Sequence, residues 1–446
     1  GGVGRPREPC YVKGLELRLW TSYGPGRYDA EYEEQGHDYP YGYVRWTEGR
    51  NMAAFLWLIQ AGKVDVASLT THAFGIEQAE QAYQLMLEGA EPYLGILLRY
   101  AGSPASEVRP VFPVATGQSG EALSIGIIGA GNHVRDRLLG PLQKVSKVSL
   151  RWVCTGTGVN ADALASKLGV ANRTTDYRQV LADVATNAVV IGTRHGSHAR
   201  MVVEALDSGK HVFVEKPLCL TEEELTDVAA AYTRKSAEGL RLLVGFNRRY
   251  SEHGQKAREF FNGHREPLVM LYRVNAGAIP PGHWTQDLAA GGGRIVGEAC
   301  HFLDYMQFVC GALPVSARGL AIGQHSSGIT SDQSVLSFSF GDGSVGTIVY
   351  AAGGDGSLAK ERFEAFGGGK ALVMDDFLVT EFHAGGRSRS FKSGKRDKGF
   401  TQEIQQFCRE ILEGAPPSMP FEQIEAVSRA CLLPARSLQT GEDYRF

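Results

Sequence analysis

Lys216 closes an apolar run and follows an acid, in Val214-Glu215-Lys216-Pro217. A lysine at the C-terminal end of a strand stands in the crevice where open α/β sheets bind ligands. There its ammonium can polarise an oxygen and lower the cost of alkoxide charge. The ordinary alternative is a solvated surface lysine. Upstream stand Thr193 and His198, in Thr193-Arg-His-Gly-Ser-His198. Downstream, His301 lies in Gly297-Glu298-Ala-Cys-His301-Phe-Leu-Asp304. From Ala299 the pattern is helical, with Ala299, Phe302, Leu303 and Met306 as the apolar stripe. Gly297, His301 and Asp304 share another face, with Glu298 within a residue of it. His301 is the best general acid/base candidate, because an imidazole ordinarily titrates near neutrality.

Such groups need a scaffold and a reaction partner, and both are readable upstream. Ser124–Arg135 begins with an apolar run (Ile125, Ile127, Ile128) expected to be a buried parallel strand. It breaks into Gly129-Ala130-Gly131 and continues in a helical pattern through Leu138, Leu139 and Leu142. Strand, glycine turn and helix N-terminus make a dinucleotide cradle. Gly129 permits the turn, Gly131 admits a pyrophosphate, and Asn132 and His133 open the helix. Val134 occupies the place of the fingerprint's third glycine, so the motif alone is weak.

Strands then alternate with helices: Val148–Cys154, Ala161–Leu168, Ala188–Thr193, Arg200–Ser208, His211–Val214 and Arg241–Gly245. This alternation predicts a Rossmann doubly wound parallel sheet. The second strand ends in Cys154-Thr155-Gly-Thr157-Gly-Val-Asn160, without the carboxylate that grips a ribose 2′-hydroxyl. Thr155, Thr157 and Asn160 are candidate donors to a 2′-phosphate, so the reading leans to NADP over NAD.

Beyond residue 246 the alternation changes to period two. Val315–Ile322, Ser334–Phe340, Ser344–Ala351, Arg362–Phe366, Ala371–Met374 and Phe377–Phe382 predict an α+β domain with an open, mostly antiparallel sheet. Such a sheet's free face favours a homo-oligomer. Asn247 and Arg248 at the junction, together with Trp284 and Arg294, are candidate substrate contacts; for the arginine pair 248–249 a hinge-fixing role is favoured. Ile404, Phe407, Cys408 and Ile411 form an amphipathic helix. A last helix starts near Glu422, with Pro434 expected to kink or end it. The basic run Arg387–Lys398 reads as a solvated hairpin edge.

Residues 1–115 carry helical patterns at Met52, Phe55, Leu56 and Ile59 and at Ala79, Ala82, Tyr83 and Met86, with strands expected at Leu15–Trp20 and Tyr93–Tyr100. This is a poor independent core and is expected to pack on a missing module or another subunit. Ala101–Ala122, with three prolines, reads as a linker. His37 and His72 lack clustered partners and are expected to be surface or packing residues, so no metal is expected. The organisation expected is thus 1–115, a dinucleotide half at 116–246, and a substrate and oligomerisation half at 247–446.

The chain's 446 residues carry a net charge of −3, with 43% hydrophobic and 21% charged residues. Nothing here favours nucleic acid or a membrane surface as partner. Seven scattered cysteines without paired spacing suit reduced thiols in a cytoplasm.

The order GxG, then TxxxxH, then EKP resembles the Gfo/Idh/MocA oxidoreductases across roughly residues 123–446. The resemblance implies that Lys216 stands beside a nicotinamide, that Thr193 and His198 line the cofactor cleft, and that Glu215 lies next to it. It implies hydride transfer at a secondary alcohol or ketone of a sugar, nucleotide sugar or cyclitol. A tightly held NAD cycling within an epimerase or lyase, and a non-catalytic scaffold, are the competing readings. One departure stands out. The aspartate common four residues before the histidine is Gly297 here, with Glu298 as the nearby acid. Separately, Tyr23–Asp29, Asp38–Thr47, Gly62–Asp65 and Thr71-His72 resemble the C-terminal tail of a medium-chain alcohol dehydrogenase-like module, the arrangement of bi-domain oxidoreductases.

Overall fold

The computed structural model describes residues 24–33, 37–89, 91–100, 122–263, 266–280, 282–322, 332–440 and 444–445. The expected strand Leu15–Trp20, Cys10 and nearly all of the Ala101–Ala122 linker lie outside the described residues. The chain divides into two compact units, 1–111 and 112–446.

In the first unit, α1 (Glu48–Gln60) is followed by β1 (Thr70–Gly75), α2 (Ala79–Glu88) and β2 (Gly95–Arg99). The two strands pair in parallel, so β1-α2-β2 is a crossover unit. Gly89 ends α2 in the left-handed conformation. Met52, Phe55, Leu56 and Trp57 of α1 are each at least half exposed within this unit. His72 bonds Glu91 at 3.2 Å and stacks on Phe74.

The second unit opens with the expected parallel sheet. Its strands are β3 (Leu123–Ile128), β4 (Val148–Cys154), β5 (Asn172–Thr174), β6 (Ala188–Ile191), β7 (His211–Val214) and β8 (Leu242–Val244), in spatial order 5-4-3-6-7-8. All are parallel, and β3, β6 and β7 are apolar and buried apart from Ser124 and His211 near their starts, as both faces are covered. The helices α3 (Leu139–Lys144), α4 (Gly158–Leu168), α5 (Tyr177–Ala182), α6 (His198–Asp207) and α7 (Glu222–Ser236) cross between them. Thr157 caps α4, and Thr221 caps α7 with three glutamates in the first turn.

After α8 (Glu252–Phe261) comes the second sheet, of nine strands. They are β9 (Val269–Asn275), β10 (Pro314–Ala321), β11 (Gln333–Phe340), β12 (Val345–Ala351), β13 (Glu361–Gly367), β14 (Lys370–Asp375), β15 (Val379–Ala384), β16 (Arg387–Lys392) and β17 (Tyr444–Arg445), in order 16-15-14-13-9-12-11-10-17. Only the β9–β12 pairing is parallel. Alternating burial along β11 and β12 places one face on α9 (Cys300–Cys310), and Tyr272, Phe302, Tyr305 and Phe363 interlock beneath it. The basic run divides: β16 is an edge strand, whereas Lys398 turns inward to Glu361.

Two helices return to the dinucleotide half. Phe407 of α10 (Phe400–Leu412) packs edge-on against Phe213 of β7, and Phe421 of α11 (Phe421–Thr440) stacks on Tyr232. Pro434 does not end α11 as expected; the helix continues to Thr440. Burial of Ile424, Val427, Ala430 and Cys431 against the core outweighs the one backbone bond that proline forfeits.

Candidate functional site

A cleft of about 1220 Å³ runs along the C-terminal ends of β3, β4, β6 and β7 and under the loops of the second half. Gly129, at φ +81°, starts its floor, and a Cβ there would lie 2.7 Å from the Thr193 backbone nitrogen. A Cβ on Gly131 would meet nothing within 4 Å, so that position faces open cleft. The missing third glycine has a structural replacement. Val134 is buried against Gly192 at the end of β6, where a Cβ would approach Val134 Cγ2 to 2.2 Å. Close helix–strand packing is therefore kept by glycine on the strand. Val134–Leu138 is a π-helical turn, as is Ile295–Ala299 on the opposite wall. Such widened turns re-aim side chains and recur at functional sites.

Lys216, just after β7, donates from Nζ to the carbonyl oxygen of Gly297 at 2.9 Å. The π turn carries Gly297 and Glu298 to the cleft together, and His301 follows on α9. His301 Nδ1 is buried without a hydrogen-bond partner among the described residues. Burial first, then the charges of Arg248 and Lys216, hold the imidazole well below 6.5, so it rests neutral. Glu298 bonds Arg294 at 3.2 Å and lies 3.7 Å from Lys360. Burial works to raise its carboxyl, but the Lys216, Lys360 and Arg294 charges keep it below 4.5.

The remaining expected residues line the cleft at different depths. Asn132, His133, Thr155, Thr193, Trp284 and Arg294 line the cleft. Glu215 is buried behind His133, which it bonds at 3.0 Å. Its burial would raise the carboxyl, yet that bond and Lys216 bring it down. His198 is fully buried, with ring nitrogens 2.8 Å from the Pro217 oxygen and 3.1 Å from the Thr193 oxygen. It lines the cleft as expected, and both ring nitrogens staple the β6 and β7 loops. Thr155 donates its hydroxyl to the Thr157 oxygen at 2.8 Å.

Two expected substrate contacts are occupied elsewhere. Asn247 is fully buried and donates to the Lys398 oxygen at 2.8 Å. Arg248 borders the cleft, but its guanidinium is held bidentately by Glu361 at 2.7 and 2.8 Å. Glu361 also accepts from Tyr272 at 2.6 Å, and these bonds position the arginine structurally. Asp304, expected on the His301 face, turns away to a buried pair with Arg249. His195 was missed by sequence reasoning. It lines the cleft, its Nδ1–H donates to the Gly291 oxygen at 2.7 Å, and its ring meets Trp284 edge-on at 4.8 Å. No local motif marks it, because its partners lie almost a hundred residues away.

No group of three or more His, Cys, Asp or Glu among the described residues is arranged to hold a metal ion. The six described cysteines are free and buried. Among the described residues no helix is long and apolar enough to cross a membrane.

A sheet of this order, with a glycine turn at the end of its first central strand, defines a dinucleotide-binding Rossmann scaffold. Residues 123–246 match the family described as "Oxidoreductase family, NAD-binding Rossmann fold". The matched family is Gfo/Idh/MocA, and the match covers the dinucleotide-binding part of the chain. The uncharacterized oxidoreductase YrbE of Bacillus subtilis is 26% identical over 232 residues, half of this chain and 65% of that one. Myo-inositol 2-dehydrogenase of Thermotoga maritima is 24% identical over 328 residues, 67% of this chain and 91% of that one. A levoglucosan dehydrogenase solved with NADH and levoglucosan shares the fold, with TM-score 0.63 and 20% identity over 73% of this chain and 99% of that one. The chain thus spans just under two thirds of the Bacillus relative.

Proposed function

We propose that this chain is an NAD(P)-dependent oxidoreductase acting on a secondary alcohol or ketone of a sugar, nucleotide sugar or cyclitol. The observation that carries the reading is the convergence in one cleft of the open Gly131 cradle, Lys216 and an unpartnered His301. The names of the myo-inositol and levoglucosan relatives support a cyclitol or pyranose substrate.

The residues fit a nicotinamide dinucleotide: Gly129–Gly131 and the following helix N-terminus would hold its pyrophosphate, with Thr155 and Thr193 along its length. When bound it supplies hydride acceptance or donation. Lys216 orients the substrate oxygen and stabilises negative charge on it. His301 takes the hydroxyl proton in the oxidative direction and returns it in reduction. Arg294 and Lys360 fix Glu298, which balances the positive charge that His301 acquires. Absence of a carboxylate from Thr155 to Asn160 supports acceptance of NADP as well as NAD.

Residues 1–115 are proposed as the tail of an alcohol dehydrogenase-like module, which the parallel β1-α2-β2 crossover supports. Exposed Val269, Leu271, Val335 and Val345 on the outer sheet face support a homo-oligomer.

The test is native mass spectrometry followed by NAD and NADP titration and a turnover panel of myo-inositol, scyllo-inositol, levoglucosan and nucleotide sugars. Reversible dinucleotide binding with turnover of one member is expected. A dinucleotide retained through turnover supports the internally cycling epimerase or lyase instead, and binding without any turnover supports a scaffold.

A further inference from the structure

His195 sits in a socket made from both halves of the unit. It begins the short turn His195–Ser197 after β6, and Gly196 N–H donates to the Ala290 oxygen at 3.0 Å, tying that turn to the loop at 287–292. The same loop supplies the Gly291 oxygen to Nδ1 at 2.7 Å. Trp284 braces the ring at 4.8 Å with an interplanar angle of 75°. On the other side lies Gly297, where a Cβ would come within 3.0 Å of His195 Cε1. Any side chain at 297 would therefore press on this ring.

A carbonyl acceptor places the proton on Nδ1 and leaves Nε2 as a bare lone pair. No described residue bonds Nε2. The ring lines the same cleft as Lys216 and His301. We infer that His195 is a substrate-binding residue, its Nε2 accepting a hydrogen bond from a hydroxyl adjacent to the reacting carbon of a polyol or sugar. This rests on the proposed oxidoreductase reading and deepens it: the site takes a vicinal diol, one oxygen at Lys216 and His301 and the next at His195. Burial first, then the Lys216 charge, lower the His195 imidazole to about 3, so the acceptor persists across the working pH range. An ammonium donor beside an imidazole acceptor suits two neighbouring hydroxyls better than a lone carbonyl.

The test uses the full chain with saturating NAD and whichever panel member it turns over, comparing His195→Phe and His195→Gln. Loss of one neutral acceptor predicts KM raised about three- to tenfold in His195→Phe. The NAD dissociation constant should hold, and His195→Gln, whose amide oxygen replaces the acceptor, should recover most of the loss. Substrates lacking the adjacent hydroxyl should bind equally to the wild type and His195→Phe. Unchanged KM in His195→Phe, or a rise in the NAD constant as large as that in KM, overturns the inference while leaving the oxidoreductase reading standing. If no panel member turns over, that reading fails. In that case ¹⁵N NMR of the imidazole with myo-inositol and NAD decides for His195. A bare Nε2 signal that moves on adding inositol supports the inference, and a protonated or unmoved Nε2 overturns it. If His195→Phe does not fold, Gly297→Ala, which crowds the same ring, should raise KM in its place, and an unchanged KM there overturns the inference.

Discussion

The ammonium of Lys216 donates to the backbone oxygen of Gly297 across 2.9 Å. That bond joins the end of β7 to the π turn ahead of α9, so the two halves of the cleft meet at the proposed reacting centre. A backbone acceptor orients the lysine without neutralising it, which leaves its charge and remaining protons for a substrate oxygen. Lys216→Met should therefore retain the fold and dinucleotide binding, while kcat falls about 10²- to 10⁴-fold. Stopped-flow absorbance of reduced nicotinamide measures it, and an unchanged rate removes Lys216 from the chemistry.

The two glycines of the cradle should respond differently. Gly129→Ala forces a side chain into a left-handed backbone and onto Thr193, and is expected to cost about 1–3 kcal/mol of stability. Gly131→Ala meets nothing in the protein and should change stability by less than about 0.5 kcal/mol. Its dinucleotide affinity should nevertheless fall at least about tenfold, since the methyl enters the pyrophosphate's space. Thermal melts and NAD titration of both variants distinguish the two effects.

Arg248 is predicted to matter for stability before substrate affinity. Removing one partner of its buried pair, by Arg248→Met, leaves Glu361 with Lys398 as its charged partner and should cost about 3 kcal/mol in urea unfolding. Part of that loss should return in Arg248→Met combined with Glu361→Leu and Lys398→Met, where none of the three charges remains. A fully stable single variant with raised KM would reassign Arg248 to the substrate.

Glu403 on α10 is fully buried, and neither carboxyl oxygen has a hydrogen-bond partner among the described residues. Burial, then the charges of Glu215 and Asp304, raise it well above 4.5. Its folded pKa exceeds its unfolded one, so the native state binds more protons. Its contribution is present below the unfolded value and is lost as pH rises toward the folded value. Glu403→Gln should thus match the wild type near pH 4 and gain stability over it by up to about 1.4 kcal/mol per pH unit above. Urea midpoints of both proteins at successive pH values check the slope, and parallel curves would refute it.

Much of this molecule is legible in the chain because burial acts on each element locally. A run such as Ile125–Ile128, breaking at Gly129, is a strand entering a tight turn wherever both sheet faces are covered. Alternation in 334–351 likewise announces a half-covered sheet. Lys216 and His301 were legible for a related reason: each sits at a fixed offset from an element's end.

Tertiary packing decided what depended on distant partners. Val134 reads as a lost glycine until Gly192, on another strand, is seen to supply the clearance. Arg248 reads as either a substrate contact or a hinge, with the hinge favoured, until Glu361 closes on it from the second sheet. His195 carries no signal of its own until Gly291 fixes its tautomer and the bare Gly297 makes room for its ring. Sequence determined which segments become strands and helices and which chemistry they carry. Only the fold decided which charges are consumed in holding it together and which remain for a substrate, since a buried charge must be paired and its partner is chosen by three-dimensional proximity.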